Sequence, residues 1–316
     1  LGENRDRSID LNVVYTQKLI DELDASIEIA SCSQYAETRR TFVARARYAL
    51  MKIEKILKDY PYIKIDRISE VSEVLNRIDA ETINVAERQL RDIATFQKLR
   101  LRQQCDALNV PMEVISLDRL GGKWIVADQK YVRPEDAALA YMRSLGWDGL
   151  ACESQAILML MKASCLDRLA SINLFNSREN ACIHQFAAQC VIHRKYDLEI
   201  LQDIEQASEA VVYKNLTEIL AHRNFLSVYS PMSIDSLIAV FKVLTPTALA
   251  KITRQIFREP SYSSGWPDLT IVRESQVCFV EVKTTDKLRD SQRETISKVI
   301  RPNGLDVRVI KIKPVS

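Results

Sequence analysis

The sequence predicts a mixed α/β fold: a small sheet-based core near the C-terminus, with large α-helical additions and an α-helical domain ahead of it. Three observations carry this. Residues 10–108 show helical spacing with long stretches free of Gly and Pro. The texture changes near Pro111, where short β-like runs begin. From 265 onwards the pattern reads strand, turn, strand, helix, strand, a sequence of elements that builds a layered core.

In the first region, Val43, Leu50, Ile53 and Ile56 recur at three and four along Thr38–Tyr60, with Arg39, Arg40, Arg45, Arg47, Lys52, Lys55 and Lys58 on the other side. Such a basic face suits either phosphates or plain solvent, and interleaved acids favour solvent. Pro61 ends that helix, and a second is expected from about Ser69 to Leu108. Val114-Ile115 and Trp124–Val126 flank a Gly121-Gly122 turn. Pro134 opens a helix over 134–145 that Gly146 stops. An apolar helix is expected over 152–170, then further helices through 258, including 233–243 and 246–257. Strands are expected at 268–273, 277–284 and 306–312, with a helix at 287–300. The boundary between the two domains is placed at 120, within a transition running from 109 to 131.

The 316 residues are 47% hydrophobic and 27% charged, the profile of a soluble globular chain. No apolar run reaches eighteen residues, so neither a membrane span nor secretion is expected. The chain begins at Leu1 rather than Met, which leaves room for residues upstream. Seven cysteines without a CxxC pair argue against a disulfide framework or a zinc ribbon and suit a reducing compartment: cytoplasm or nucleoid in a prokaryote, nucleus in a eukaryote. The net charge is only +2, but residues 251–316 hold 13 Lys/Arg against 8 Asp/Glu, a local excess suited to a polyanion.

The informative segment is Gly265-Trp266-Pro267-Asp268 followed by Glu281-Val282-Lys283. Side chains alternate along a strand, so Glu281 and Lys283 share a face while Val282 points into the core. Asp268 opens the neighbouring strand after a Pro. Two carboxylates and an ammonium then meet at one end of a sheet, an arrangement that is unfavourable unless an ion or substrate compensates it. Mg²⁺ or Mn²⁺ suits it, being held by one or two carboxylates plus water and phosphate. The Val282 carbonyl is a candidate further ligand, and Lys283 would orient the attacking water or neutralise charge on the phosphate. Glu-x-Lys alone is common on surface strands, and the spacing to Pro-Asp is what gives it weight.

Gly-Trp-Pro-Asp-Leu (265–269), Phe-Val-Glu-Val-Lys (279–283), Asp-Lys-Leu (286–288) and Gln292 together resemble the VRR-NUC domain, a branch of the PD-(D/E)xK superfamily. The resemblance covers 265–312 well and 134–316 loosely, and implies a restriction-endonuclease-like core within residues 121–316. Tyr141–Glu153, with its Gly146-Trp147 turn, resembles the start of the nuclease domain in Fanconi-associated nucleases, as does a long helical insertion at about 172–258. That implies Glu153 as a third carboxylate. Near the N-terminus of an apolar helix it would also be favoured simply by the helix dipole. Gln292 is a candidate to touch a metal-bound water or nearby backbone, against a plain surface amide. Thr284-Thr285 and Thr295 depart from the family pattern and leave the substrate subclass open.

The expected activity is a Mg²⁺- or Mn²⁺-dependent deoxyribonuclease, endonuclease or 5′ exonuclease, with Asp268, Glu281, Lys283, Glu153 and Gln292 in the site. Asp268, Glu281, Glu153 and Val282 would be the metal ligands. The resemblance implies branched or flapped DNA as the partner, in DNA repair. Residues 1–120 would bind DNA or a protein partner. Two other classes stay open: a restriction- or defence-type nuclease that senses a partner or foreign DNA, and a catalytically inactive DNA-binding protein. Cys182, His184, Cys190 and His193 would not surround one ion if they lay on a single continuous helix. No P-loop and no Gly-x-Ser-x-Gly elbow is present. Tyr262 and Trp266 flank the site and would stack on a base, wedge a duplex or pack the loop.

Overall fold

The structure is a computed structural model and describes residues 3–61, 63, 65, 68–126, 130–173, 177–222, 232–285 and 287–315. Asp286 of the Asp-Lys-Leu motif lies outside the described residues.

Three long helices come first: α1 (Glu3–Cys32), α2 (Ala36–Asp59) and α3 (Ile68–Lys98). Phe42, Val43, Ala46, Ala49, Leu50 and Ile53 recur at three and four on α2 and meet Leu19, Leu23 and Ile29 of α1 and Leu75 and Ile78 of α3 in a core of their own. Arg39 departs from the expected solvent face. It is 8% exposed, and its guanidinium donates to the carbonyls of Ser33 (2.7 Å) and Ser31 (3.2 Å), tying down the α1–α2 turn. The helix expected to run unbroken to Leu108 stops at Lys98. A new helix, α4 (Leu101–Ala107), starts because the Gln103 side chain accepts from the Arg100 amide (2.9 Å) and caps it.

The next segment holds β1 (Met112–Leu117), β2 (Arg119–Leu120), β3 (Lys123–Val126) and β4 (Lys130–Val132), then α5 (Pro134–Ser144) and β5 (Asp148–Ala151). A helical body follows: α6 (Gln155–Ser164), α7 (Leu166–Ile172), α8 (Arg178–Ile183), α9 (Phe186–Ile192), α10 (Asp197–Glu205), α11 (Glu209–Ala221), α12 (Ile234–Leu244) and α13 (Pro246–Arg258). The apolar helix expected over 152–170 is thus two helices broken at Cys165. The chain closes with β6 (Leu269–Arg273), β7 (Gln276–Lys283), α14 (Asp290–Thr295) and β8 (Asp306–Pro314). The helix expected over 287–300 begins three residues later and passes after Thr295 into a π-helical turn, Ile296–Ile300. Among the described residues no single helix is long and apolar enough to cross a membrane.

The main sheet has the order β1-β8-β7-β6-β5. β5, β6 and β7 are antiparallel neighbours, while β7–β8 and β8–β1 are parallel. β1 lies ahead of the boundary expected at 120 and is nevertheless hydrogen-bonded along its length to β8, so the sheet draws its edge strand from before that point. β2, β3 and β4 make a separate small sheet.

Both faces of the main sheet are covered, so its central strands are apolar on both sides. Val277, Phe279, Val307 and Val309 face the helical body. Cys278, Val280, Val282, Ile310 and Ile312 face α5 and Trp124. This two-sided cover on a mixed sheet is the α/β core with helical additions that the sequence implies. β5 was not anticipated. It depends on Gly149, where a Cβ would sit 2.2 Å from the Thr270 carbonyl of β6.

Candidate active site at the end of the central strands

Because β6 and β7 run antiparallel, the start of one and the end of the other lie together, and Asp268 meets Glu281 and Lys283 there. Asp268 is fixed from two sides. Its carboxylate Oδ2 accepts the Val282 amide of β7 (2.7 Å). Its main-chain carbonyl accepts the amides of Cys152 and Glu153, both at 3.1 Å, drawing the β5–α6 turn against the site. Glu153 sits in that turn with φ +46°, a conformation non-glycine residues rarely hold.

Glu281 and Lys283 project from β7 on the face opposite Val282, as the alternation requires. Both are buried, 1% and 3% exposed, with Lys283 Nζ 3.0 Å from Glu281 Oε1. Gln292 of α14 joins them. Its amide donates to Glu281 Oε1 (2.5 Å), and its carbonyl oxygen accepts from Lys283 Nζ (3.1 Å) and from the Arg289 amide (2.9 Å). Gln292 is therefore no surface amide: it is buried and bonds to the nearby backbone at Arg289, as one of its expected roles had it, and to the side chains of Glu281 and Lys283. Gly265 brings the preceding loop onto α14. A Cβ there would meet the Ser291 carbonyl at 2.4 Å, and its φ of +71° is one that glycine holds without strain.

The electrostatics follow from burial. Desolvation, opposed by the Val282 amide, raises Asp268 to about 6, with Glu135, Lys283 and Glu153 contributing less. Desolvation raises Glu281 to about 8; the Asp268 charge adds to the rise and Lys283 opposes it. Glu281 Oε2 is buried and has no hydrogen-bond partner among the described residues. The cleft around these groups holds about 420 Å³, room for a hydrated ion and a phosphodiester, and its walls include Glu135, Glu153, Asp268, Glu281, Val282, Lys283 and Gln292.

The expected residues thus share one cleft, but unequally. Glu281, Lys283 and Gln292 form a bonded cluster, Asp268 is held beside it by the Val282 amide, and Glu153 stands exposed at the rim. Among the described residues no three His, Cys, Asp or Glu side chains converge on a single point. A hard divalent ion needs only one or two carboxylates beside water and phosphate, so the pair fits such an ion and Glu281 Oε2 gives it an unused ligand atom. Glu135 was missed. Its signal was the Pro134-Glu135 start of α5, readable only as a helix beginning until the fold brought it into the cleft.

Two other sequence readings resolve differently. Trp266 is 2% exposed, donates to the Tyr262 carbonyl (2.8 Å) and packs edge-on against Phe279, so it belongs to the core. Cys182 lies on α8 and Cys190 on α9, both buried, with His184 and His193 at the ends of those helices rather than on one continuous helix.

Comparison with known proteins adds the family. The VRR-NUC domain matches residues 211–314, which hold the Asp268–Gln292 cluster. No curated protein sequence matches the chain. Among solved structures, paFAN1 bound to DNA with a 2-nucleotide 5′ flap and a gap aligns with 98% of this chain at 13% identity and a TM-score of 0.47. A second paFAN1 structure, with a 1-nucleotide flap, aligns at 14% identity with the same TM-score. The chain spans 55% and 56% of the lengths of the paFAN1 chains in those two structures. The candidate cluster therefore lies in the segment of this chain, residues 211–314, that is similar to the VRR-NUC domain.

Proposed function

We propose that the chain is a divalent-metal-dependent nuclease that hydrolyses phosphodiester bonds in DNA, acting on a flapped or branched structure. The observation that carries this is the cluster of half-buried Asp268 with buried Glu281 and Lys283 at the end of β6 and β7, inside the segment similar to the VRR-NUC domain, with one Glu281 oxygen unused among the described residues. Mg²⁺ or Mn²⁺, when bound, would supply a Lewis acid to the scissile phosphate.

The chain's own residues then have defined tasks. Asp268 and Glu281 would hold the ion, with the Val282 carbonyl and Glu153 as further ligands from β7 and the rim. The Val282 amide fixes the Asp268 carboxylate, and Gln292 fixes Glu281 and Lys283 relative to each other. Lys283 places a buried positive charge beside the cleft, where it can orient the attacking water and stabilise charge developing on phosphate oxygens. The helical domain would bind the flanking DNA, and the reaction would serve repair.

The test is cleavage of a labelled 5′-flap substrate against a linear duplex, in Mg²⁺ and in EDTA. The expected result is flap cleavage in Mg²⁺ alone, reduced roughly 10²–10³-fold or more in Asp268→Ala. Cleavage that persists in EDTA, or an Asp268→Ala variant as active as the parent, would remove the proposed site.

A further inference from the structure

We propose that the catalytic cleft continues into a groove for single-stranded DNA that ends on the surface of α2 at Arg45, Tyr48 and Lys52. The inference rests on the nuclease reading for the identity of the strand.

The path is built first from chain neighbours and then from shared walls. Glu153 and Ser264 line the catalytic cleft. Their chain neighbours Ser154 and Ser263 line a second depression, together with Gln185. Gln185 and Ser263 in turn line a third, whose far wall is Thr41 and Arg45 of α2. Among apolar Leu158, Met159, Phe186 and Val191, the route offers the hydroxyls of Ser154, Ser263 and Thr41 and the amide of Gln185, which suit sugar and phosphate oxygens without reading sequence.

At the far end, Thr41, Arg45, Tyr48 and Lys52 follow one another at intervals of four, three and four and so share a helix face, about 16 Å long. Cations and rings alternate on it. The Arg45 guanidinium stands 5.2 Å over the Phe42 ring. Lys52 Nζ lies 4.4 Å from the Tyr48 ring centre and 3.5 Å from the Tyr15 hydroxyl. Tyr48 is 55% exposed and Tyr15 37%. Exposed rings beside cations serve unstacked bases and their phosphates, whereas a duplex offers no free base faces. This separates the stripe from a duplex-binding surface. Glu37 lines the third depression and opposes an incoming phosphate.

The experiment measures anisotropy of two labelled probes with the full chain in EDTA, so that cleavage does not enter. One probe is a duplex carrying a 5′ flap of about ten thymidines, and the other is the same duplex without it. Arg45→Ala, Tyr48→Ala and Lys52→Ala combined are expected to weaken flap binding at least tenfold and to lower the salt slope by about 1.4, the loss of two phosphate contacts on a single strand. Binding of the flapless duplex stays unchanged, which also shows that the variant is folded. Tyr48→Phe retains the parent's flap affinity, and Glu37→Gln strengthens it. A triple variant that binds both probes like the parent, or loses both equally, would overturn the path. Absence of metal-dependent cleavage would count against the nuclease reading alone, since the flap arm is read without metal.

Discussion

The two halves of β7 are equally hidden and chemically opposite. Val277 and Phe279 point to the same face of the sheet as Glu281 and Lys283, and none of the four is more than 8% exposed. The first pair joins the core with the helical body. The second pair buries charge, leaves a carboxylate oxygen without a partner and lifts Glu281 far from its ordinary ionisation range. Burial stabilises the chain in one half and opposes it in the other. Such a cluster at the end of a well-packed strand is what makes this a candidate binding site.

Truncation sharpens the contrast most. Phe279→Ala removes a fully buried ring that also packs against Trp266, and is expected to destabilise the chain by about 3–5 kcal/mol in denaturant unfolding. A loss below about 1 kcal/mol would mean that this half of the strand is not the structural one.

Ionisation gives a smaller effect of opposite sign. Without metal, Glu281 holds its proton in the folded chain up to about pH 8 but releases it near 4.5 when unfolded. Its contribution to stability is therefore complete below about pH 4.5 and is lost as pH rises through 8. Asp268 repeats this between 3.8 and about 6. Glu281→Gln should abolish the decline above pH 6 and leave the metal-free chain more stable than the parent at pH 9, on the order of 2 kcal/mol. Parallel pH profiles for the two proteins would show that Glu281 is not held protonated.

Much of this was readable in the chain, because the site is local in sequence. Pro-Asp, a two-residue turn and Glu-x-Lys on alternating positions fix β6, β7 and the meeting of their ends within about twenty residues. What depended on distant partners was not readable. β1 finds its place only through β8, nearly two hundred residues away. β5 is four residues long with a glycine in it, too short to show alternation. Arg39 carries a charge that periodicity assigns to solvent, and only the α1–α2 turn supplies the carbonyls that let it be buried. Glu135 enters the cleft from α5 through the fold alone, whereas Gln292 was named from the sequence and only its bonds to Glu281 and Lys283 waited on α14.

The most direct measurement is thermal unfolding of the parent, Asp268→Asn and Glu281→Gln at pH 8 over a titration of Mn²⁺. An ion held by the native site alone stabilises by about 2.7 kcal/mol at a hundred times its dissociation constant. The expected result is a concentration-dependent rise in Tm for the parent that is absent in both variants. A parent Tm indifferent to Mn²⁺, or an equal rise in all three proteins, would contradict a cation site at the end of β7.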